Sequence, residues 1–307
     1  MEFINGVSFT GIMKGHCCSE KALESLRIMK EETGCNSVIL VIGALQDTAQ
    51  SEYVDYKHEH MPTDEELKKL IVYANEIGLR VILKPFLNCR NGTWRAHINF
   101  FDIDVVCEPK WSNWFASYTE YMVHYAKIAE QTGCEMLVIG CEMVQAQRRD
   151  REWREVVAEV KKVYRGLITY NTDKYQEEHV TWWDAVDVIS SSGYYPINDW
   201  EAQLDRIEKV VKKEGKPFFF AENGCMSVTD SSFIPNDWNQ KGEINVEEQA
   251  RWYEAMFEAC EKRPFVEGYG LWDWSTRLYK KAEGKNKGGY AIYGKPACDV
   301  VKKHFIK

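Results

Sequence analysis

The sequence predicts an α/β protein, a single (β/α)8 TIM barrel that takes in residues 1–307 as one domain and builds its site at the C-terminal ends of the strands. Three observations predict it. Short β-rich apolar runs alternate with longer amphipathic stretches, the pattern of parallel strands joined by covering helices. The runs number eight, at residues 3–9, 37–43, 80–87, 136–143, 166–171, 186–195, 217–222 and 266–274. Glycine precedes four of them, in Thr33-Gly34, Ile77-Gly78, Thr132-Gly133 and Glu214-Gly215, where a helix C-terminus takes a left-handed residue.

Taken in order, the run at 3–9 leads to a helix beginning near Ser19. The run at 37–43 leads to one near Asp64, opened by the capping sequence Thr63-Asp64-Glu65-Glu66. Helices near Trp111, Arg151, Trp200 and Asn245 follow the third, fourth, sixth and seventh runs. After the fifth run only a short helix fits, around residues 178–184. No Pro/Ser linker, low-complexity tract or composition shift divides the chain. Three connections are long, at residues 88–109, 225–244 and 279–295, and each leaves the C-terminal end of a strand. Loops of that length inside a compact domain usually carry function.

Composition narrows the function. With 45% hydrophobic and 28% charged residues the chain is not disordered, and 11 Trp and 16 Tyr make it rich in flat side chains. A net charge of −8, with no basic stretch interleaved with aromatics, excludes nucleic acid and anionic membrane as partners and favours a neutral substrate. No apolar run approaches the length of a membrane span. The N-terminus lacks the basic start, apolar stretch and cleavage site of a signal peptide, so a cytoplasmic protein is expected. The ten cysteines are too dispersed for a disulfide scaffold and read as reduced core thiols. His16-Cys17-Cys18 lacks the paired spacing of a zinc site. Gly288-Gly289, near Lys285 and Lys287, lacks the strand-turn-helix context of a phosphate loop. A monomer without metal or cofactor is expected.

Two carboxylates stand out. The fourth run ends Ile139-Gly140-Cys141-Glu142 and the seventh Phe220-Ala221-Glu222-Asn223, each an apolar strand closing on a glutamate. Alone, either side chain would serve as well to pair with a neighbouring cation. In a parallel barrel both strand ends reach one face, and strands four and seven stand across its mouth. Two carboxyl groups so placed suit glycoside hydrolysis, where one protonates the leaving oxygen and the other attacks or activates water.

These glutamates, with the eighth-strand ending Gly270-Leu271-Trp272-Asp273-Trp274, resemble clan A of the glycoside hydrolases over essentially the whole chain. More narrowly, Lys84-Pro85, Asn91-Gly92-Thr93-Trp94-Arg95 and Gly193-Tyr194-Tyr195-Pro196 resemble glycoside hydrolase family 113, whose members are mainly β-mannanases. The resemblance implies double displacement with net retention, Glu222 as nucleophile and Glu142 as general acid/base. It favours Asn91 and Trp94 as sugar binders. One position departs from the clan: Cys141 stands where an asparagine commonly contacts the sugar 2-hydroxyl, and a thiol is a poor hydrogen-bonding substitute. That hydroxyl must then be held by other groups, Asn171 or the third-strand loop.

The remaining candidates follow from position. Tyr194 and Tyr195 end the sixth strand beside Glu222, and alternation sends only one inward, where its phenol would orient the nucleophile. Trp272 and Trp274 lie two apart and so face the same way; Trp274, nearer the mouth, is the expected floor for a stacked sugar, with Trp272 packed deeper. Lys84 ends an apolar strand where its charge needs a partner, either sugar hydroxyls or a carboxylate. The expected activity is that of a retaining endo-β-1,4-mannanase on mannan and mannooligosaccharides, a β-linked oligo- or polysaccharide substrate. An exo-acting β-mannosidase or other clan A β-glycanase is the alternative within the class. A catalytically idle sugar-binding barrel is disfavoured because both glutamates are present.

Overall fold

Strands and helices alternate along the whole chain in the computed structural model, which describes residues 1–307. The order is β1 (Ile4–Thr10), α1 (Glu20–Thr33), β2 (Ser37–Gln46), α2 (Asp64–Glu76), β3 (Arg80–Cys89), α3 (Trp111–Thr132), β4 (Met136–Cys141), α4 (Asp150–Lys161), β5 (Leu167–Thr172), β6 (Val188–Ser192), α5 (Trp200–Glu214), β7 (Phe218–Asn223), α6 (Val246–Cys260), β8 (Val266–Ser275) and α7 (Pro296–Phe305). All eight strands pair in parallel in sequence order, and β8 returns to β1 to close the barrel.

The local signals act as expected. Ser19 and Asn245 cap α1 and α6, and Thr63 and Glu66 form a reciprocal capping box on α2. The predicted glycines all take positive φ, between 65° at Gly215 and 75° at Gly78. Two short 3₁₀ turns, Glu177–His179 and Trp183–Ala185, replace a helix between β5 and β6. Helix α7 was not anticipated. It begins on Pro296, whose missing N–H costs nothing at a helix start, and it buries Ala297, Cys298, Val301 and Phe305 in the outer core.

Apolar packing falls into two layers. Inside the barrel, nine buried side chains, among them Ile39, Ile82, Met136, Val138 and Phe219, form a small plug. A larger cluster fills the space between strands and helices. The cysteines are all free and eight are buried; the core reading fails for Cys107, which is exposed on the loop after β3, and for the partly exposed Cys18. No helix is long and apolar enough to cross a membrane.

Above the plug, strict alternation breaks at three strands. Pairing slips between Val138 and Cys141 on β4, between Phe220 and Glu222 on β7, and between Leu271 and Trp274 on β8. Bulges of this kind re-aim the residues that follow them and recur beside active sites.

Candidate active site

The slips on β4 and β7 turn the side chains of Cys141, Glu142 and Glu222 toward the barrel mouth. Glu142 sits just past β4 with φ at 52°, a left-handed conformation that non-glycine residues rarely hold, and its N–H donates to the Asn171 carbonyl at 2.8 Å. Ser192 Oγ donates to Glu142 Oε1 at 2.8 Å and Arg95 Nη2 to Oε2 at 2.7 Å. Glu222 is more enclosed. The Lys84 ammonium and the Cys141 thiol, at 3.4 Å, donate to its Oε1, and Tyr194 Oη donates to Oε2 at 2.8 Å.

These contacts join the two carboxylates by two routes. On one side Arg95 donates to Cys141 Sγ at 3.3 Å as well as to Glu142. On the other, Lys84 donates to Asn171 Oδ1 at 2.5 Å, and Asn171 Nδ2 donates to Ser192 Oγ at 3.0 Å. Burial pushes the Glu222 carboxyl upward, but the charges of Lys84 and Arg95 and the hydrogen bonds from Lys84 and Tyr194 outweigh it, holding the group below the usual glutamate range. Burial pushes the Cys141 thiol up to about 12, so it remains an S–H donor.

A cavity of about 660 Å³ opens over both glutamates. Phe86, Asn88, Trp94 and Arg95 form one wall, Asp173, Lys174 and Tyr194 another, and Asn236, Asp237, Trp238, Asn239 and Trp272 the far side. Trp94 is 42% exposed and Trp238 51% exposed, flat surfaces offered to a ligand at opposite rims. Trp238 packs on Tyr290 with ring centroids 4.3 Å apart and meets Trp272 edge-on at 5.7 Å. Burial and the Glu142 charge push the Asp173 carboxyl up to about 7, against the pull of Lys174.

A family model described as Glycoside Hydrolase Family 113 matches residues 7–295. The chain belongs to that family. Among solved structures, one titled a GH113 β-1,4-mannanase is 57% identical over 100% of both chains, with a TM-score of 0.99. The GH113 β-mannanase AaManA from Alicyclobacillus acidocaldarius, in complex with ManMIm, is 40% identical over 100% of this chain and 98% of its own, with a TM-score of 0.96. A β-D-glucuronidase from Dictyoglomus thermophilum shares the fold, at 15% identity and a TM-score of 0.68, over 100% of this chain and 51% of its own. No curated protein sequence matches the chain.

In this family 113 hydrolase the predicted residues divide into three groups. Glu142, Glu222, Trp94 and Tyr194 line the cavity. Lys84 and Asn171 do not; both are fully buried beneath it, where Lys84 takes a carboxylate rather than a sugar as partner and Asn171 ties Lys84 to Ser192. Asn91, Tyr195 and Trp274 lie elsewhere. Asn91 is exposed and its Oδ1 accepts from the Thr93 N–H at 3.1 Å, closing the turn before Trp94. Tyr195 points outward, donating to Glu177 at 2.8 Å and packing against Trp200. Trp274 is fully buried in the outer layer, its indole donating to Ser25 Oγ at 3.1 Å.

The β8 slip explains the tryptophans: Val7 pairs with Leu271 and Phe9 with Trp274, so β8 uses three steps where β1 uses two. Trp272 therefore faces the cavity and Trp274 the helices, reversing the expectation. Asn88, Asp173, Lys174 and Asn236–Asn239 were missed as cavity residues, and only their place at strand ends and on a long loop marked them. Cys17, Cys18 and Glu66 bring possible ligand atoms within 4.8 Å of one another. Both Glu66 oxygens are engaged, Oε1 by the Gly15 N–H at 2.6 Å and Oε2 by Thr63.

Proposed function

We propose that this family 113 hydrolase is an endo-acting β-1,4-mannanase that cleaves mannan and mannooligosaccharides with net retention. Glu222 attacks the anomeric carbon while Glu142 gives its proton to the departing glycosidic oxygen. The resulting glycosyl ester is then hydrolysed by a water that gives its proton to Glu142, restoring both groups. Lys84 and Tyr194 hold the nucleophile ionised and aimed; Arg95 and Ser192 orient the acid/base. The observation that carries the reading is the unequal setting of two buried carboxylates at one cavity, Glu222 under three donors and Glu142 on the open side. The sugar and linkage are supported by the two β-mannanase structures at 57% and 40% identity. The exposed Trp94 and Trp238 at opposite rims support an endo mode, since sugar can stack on both sides of the scissile bond.

Incubation with β-mannan, cellulose, xylan and their oligosaccharides tests the specificity; oligosaccharides of mixed length from mannan are expected early. Release of mannose alone would refute endo action, and cleavage of xylan or cellulose with mannan untouched would refute the sugar. Glu222→Ala should lose on the order of 10⁴-fold or more in kcat on an aryl β-mannoside, with partial rescue by azide. Glu142→Ala should spare a substrate with a very good leaving group far more than mannan. Equal loss on both would remove Glu142 from the acid role.

A further inference from the structure

Lys295, the residue before α7, is 3% exposed, and no carboxylate lies within ion-pair distance of its ammonium. Its Nζ donates to Ser227 Oγ at 2.8 Å and to the Gly289 carbonyl at 2.9 Å. Ser227 belongs to the loop after β7 and Gly289 to the loop after β8, so one buried cation ties the two together. Ser227 Oγ also lies 2.5 Å from the Lys287 carbonyl, and Gln249 Nε2 on α6 donates to the carbonyls of Cys225 and Tyr290 at 2.8 and 2.9 Å.

Just beyond Ser227, Val228 bridges Ile244, and the chain between them runs out to Asn236, Asp237, Trp238 and Asn239 in the cavity wall. The outer part of this excursion rests on the β8 loop again: Tyr290 Oη donates to the Pro235 carbonyl at 2.5 Å, and Trp238 lies on the Tyr290 ring. Burying an ammonium against neutral acceptors is unfavourable. Burial pushes Lys295 down to about 8 despite the attraction of Asp273, so at neutral pH the fold carries a charge that it disfavours.

We propose that Lys295 is a positioning residue for substrate binding, a buried tie that fixes the β7 loop and thereby sets Trp238 and its polar neighbours against the bound sugar chain. The proposal deepens the mannanase reading and rests on it for its substrate. Lys295 touches neither substrate nor the reacting atoms; it acts through Ser227 and the two loops. Its removal separates stability from binding. An apolar replacement of similar volume relieves the buried charge, while the Gly289 carbonyl keeps the Ser227 N–H at 3.3 Å as a donor.

The test compares wild type, Lys295→Met and Ser227→Ala in three measurements: Tm, steady-state kinetics on mannohexaose, and amide exchange of residues 228–243. For Lys295→Met the expected result is an unchanged or higher Tm, faster exchange in that segment, and KM raised about fivefold with kcat within about twofold. Ser227→Ala, which removes one acceptor, should show a smaller change in exchange and KM. Unchanged exchange in both variants overturns the tie, and so does a Tm that falls in step with the rise in KM, which marks a general structural role. A wild type inactive on mannohexaose refutes the mannanase reading alone, and exchange still decides the tie.

Discussion

The floor of the active site and its open wall treat their carboxylates differently. At the floor, Glu222 is held by an ammonium, a phenol and a thiol, and the ammonium is fixed in turn by Asn171. At the wall, Glu142 has one hydroxyl and one guanidinium, stands on a left-handed residue and adjoins the titratable pair Asp173 and Lys174. A nucleophile must be ionised and aimed before substrate arrives. An acid/base must exchange its proton twice in each cycle, and a setting with fewer fixed donors and a path to water permits that.

The contrast is broken most sharply at Lys84. Lys84→Met leaves a buried carboxylate without its cation, which should cost about 10²- to 10³-fold in kcat and about 3–5 kcal/mol of stability, measured by kinetics and by urea unfolding. The same variant shifts the pH profile. In the wild type Glu222 is held below the ordinary glutamate range, so its ionised form is present above that range and is lost only as pH falls through the lowered value. The acid limb of kcat/KM should therefore lie low in the wild type and move to higher pH in Lys84→Met. An unmoved limb would assign it to another group.

Tyr194→Phe removes one donor from Glu222 and should lower kcat about 10- to 100-fold. Tyr195→Phe, one residue on, should leave kcat within about twofold and cost about 1 kcal/mol of stability through the Glu177 hydrogen bond. Reversed effects would exchange the two assignments. A modest change is expected at the wall: Ser192→Ala should lower kcat about threefold or less on an activated substrate and more on mannan, where protonation of the leaving group matters.

Much of this could be read from sequence because it depends on local rules. Run counting gave eight strands, Thr63-Glu66 and the four glycines bounded helices, and Glu142 and Glu222 followed from abrupt apolar endings. Even the tyrosines were within reach, since Val188, Ser190, Ser192 and Tyr194 share one side of β6 and its continuation, with Ser190 and Ser192 hydrogen-bonded inside the barrel. Trp272 and Trp274 were not, because alternation assumes an unbroken register and the slip on β8 arises from pairing with β1, which a single strand does not record. Lys84, expected to meet sugar hydroxyls or a carboxylate, meets the carboxylate of Glu222, whereas Asn171, expected to hold a sugar hydroxyl, is bonded to Lys84 and Ser192 instead. Trp238 sits on a loop whose path is set by contacts with Tyr290, far away in the chain.

The thiol of Cys141 is closed off from solvent and lies 3.4 Å from Glu222 Oε1. Its S–H stretching vibration falls in a spectral window that only the free thiols occupy, and that frequency follows the strength of the hydrogen bond the thiol donates. In the double displacement proposed above, Glu222 becomes a glycosyl ester, its charge disappears and the bond weakens. The protein thus carries a native infrared reporter beside Glu222, assignable by difference against Cys141→Ser, that would distinguish free enzyme from the proposed covalent intermediate without any added label.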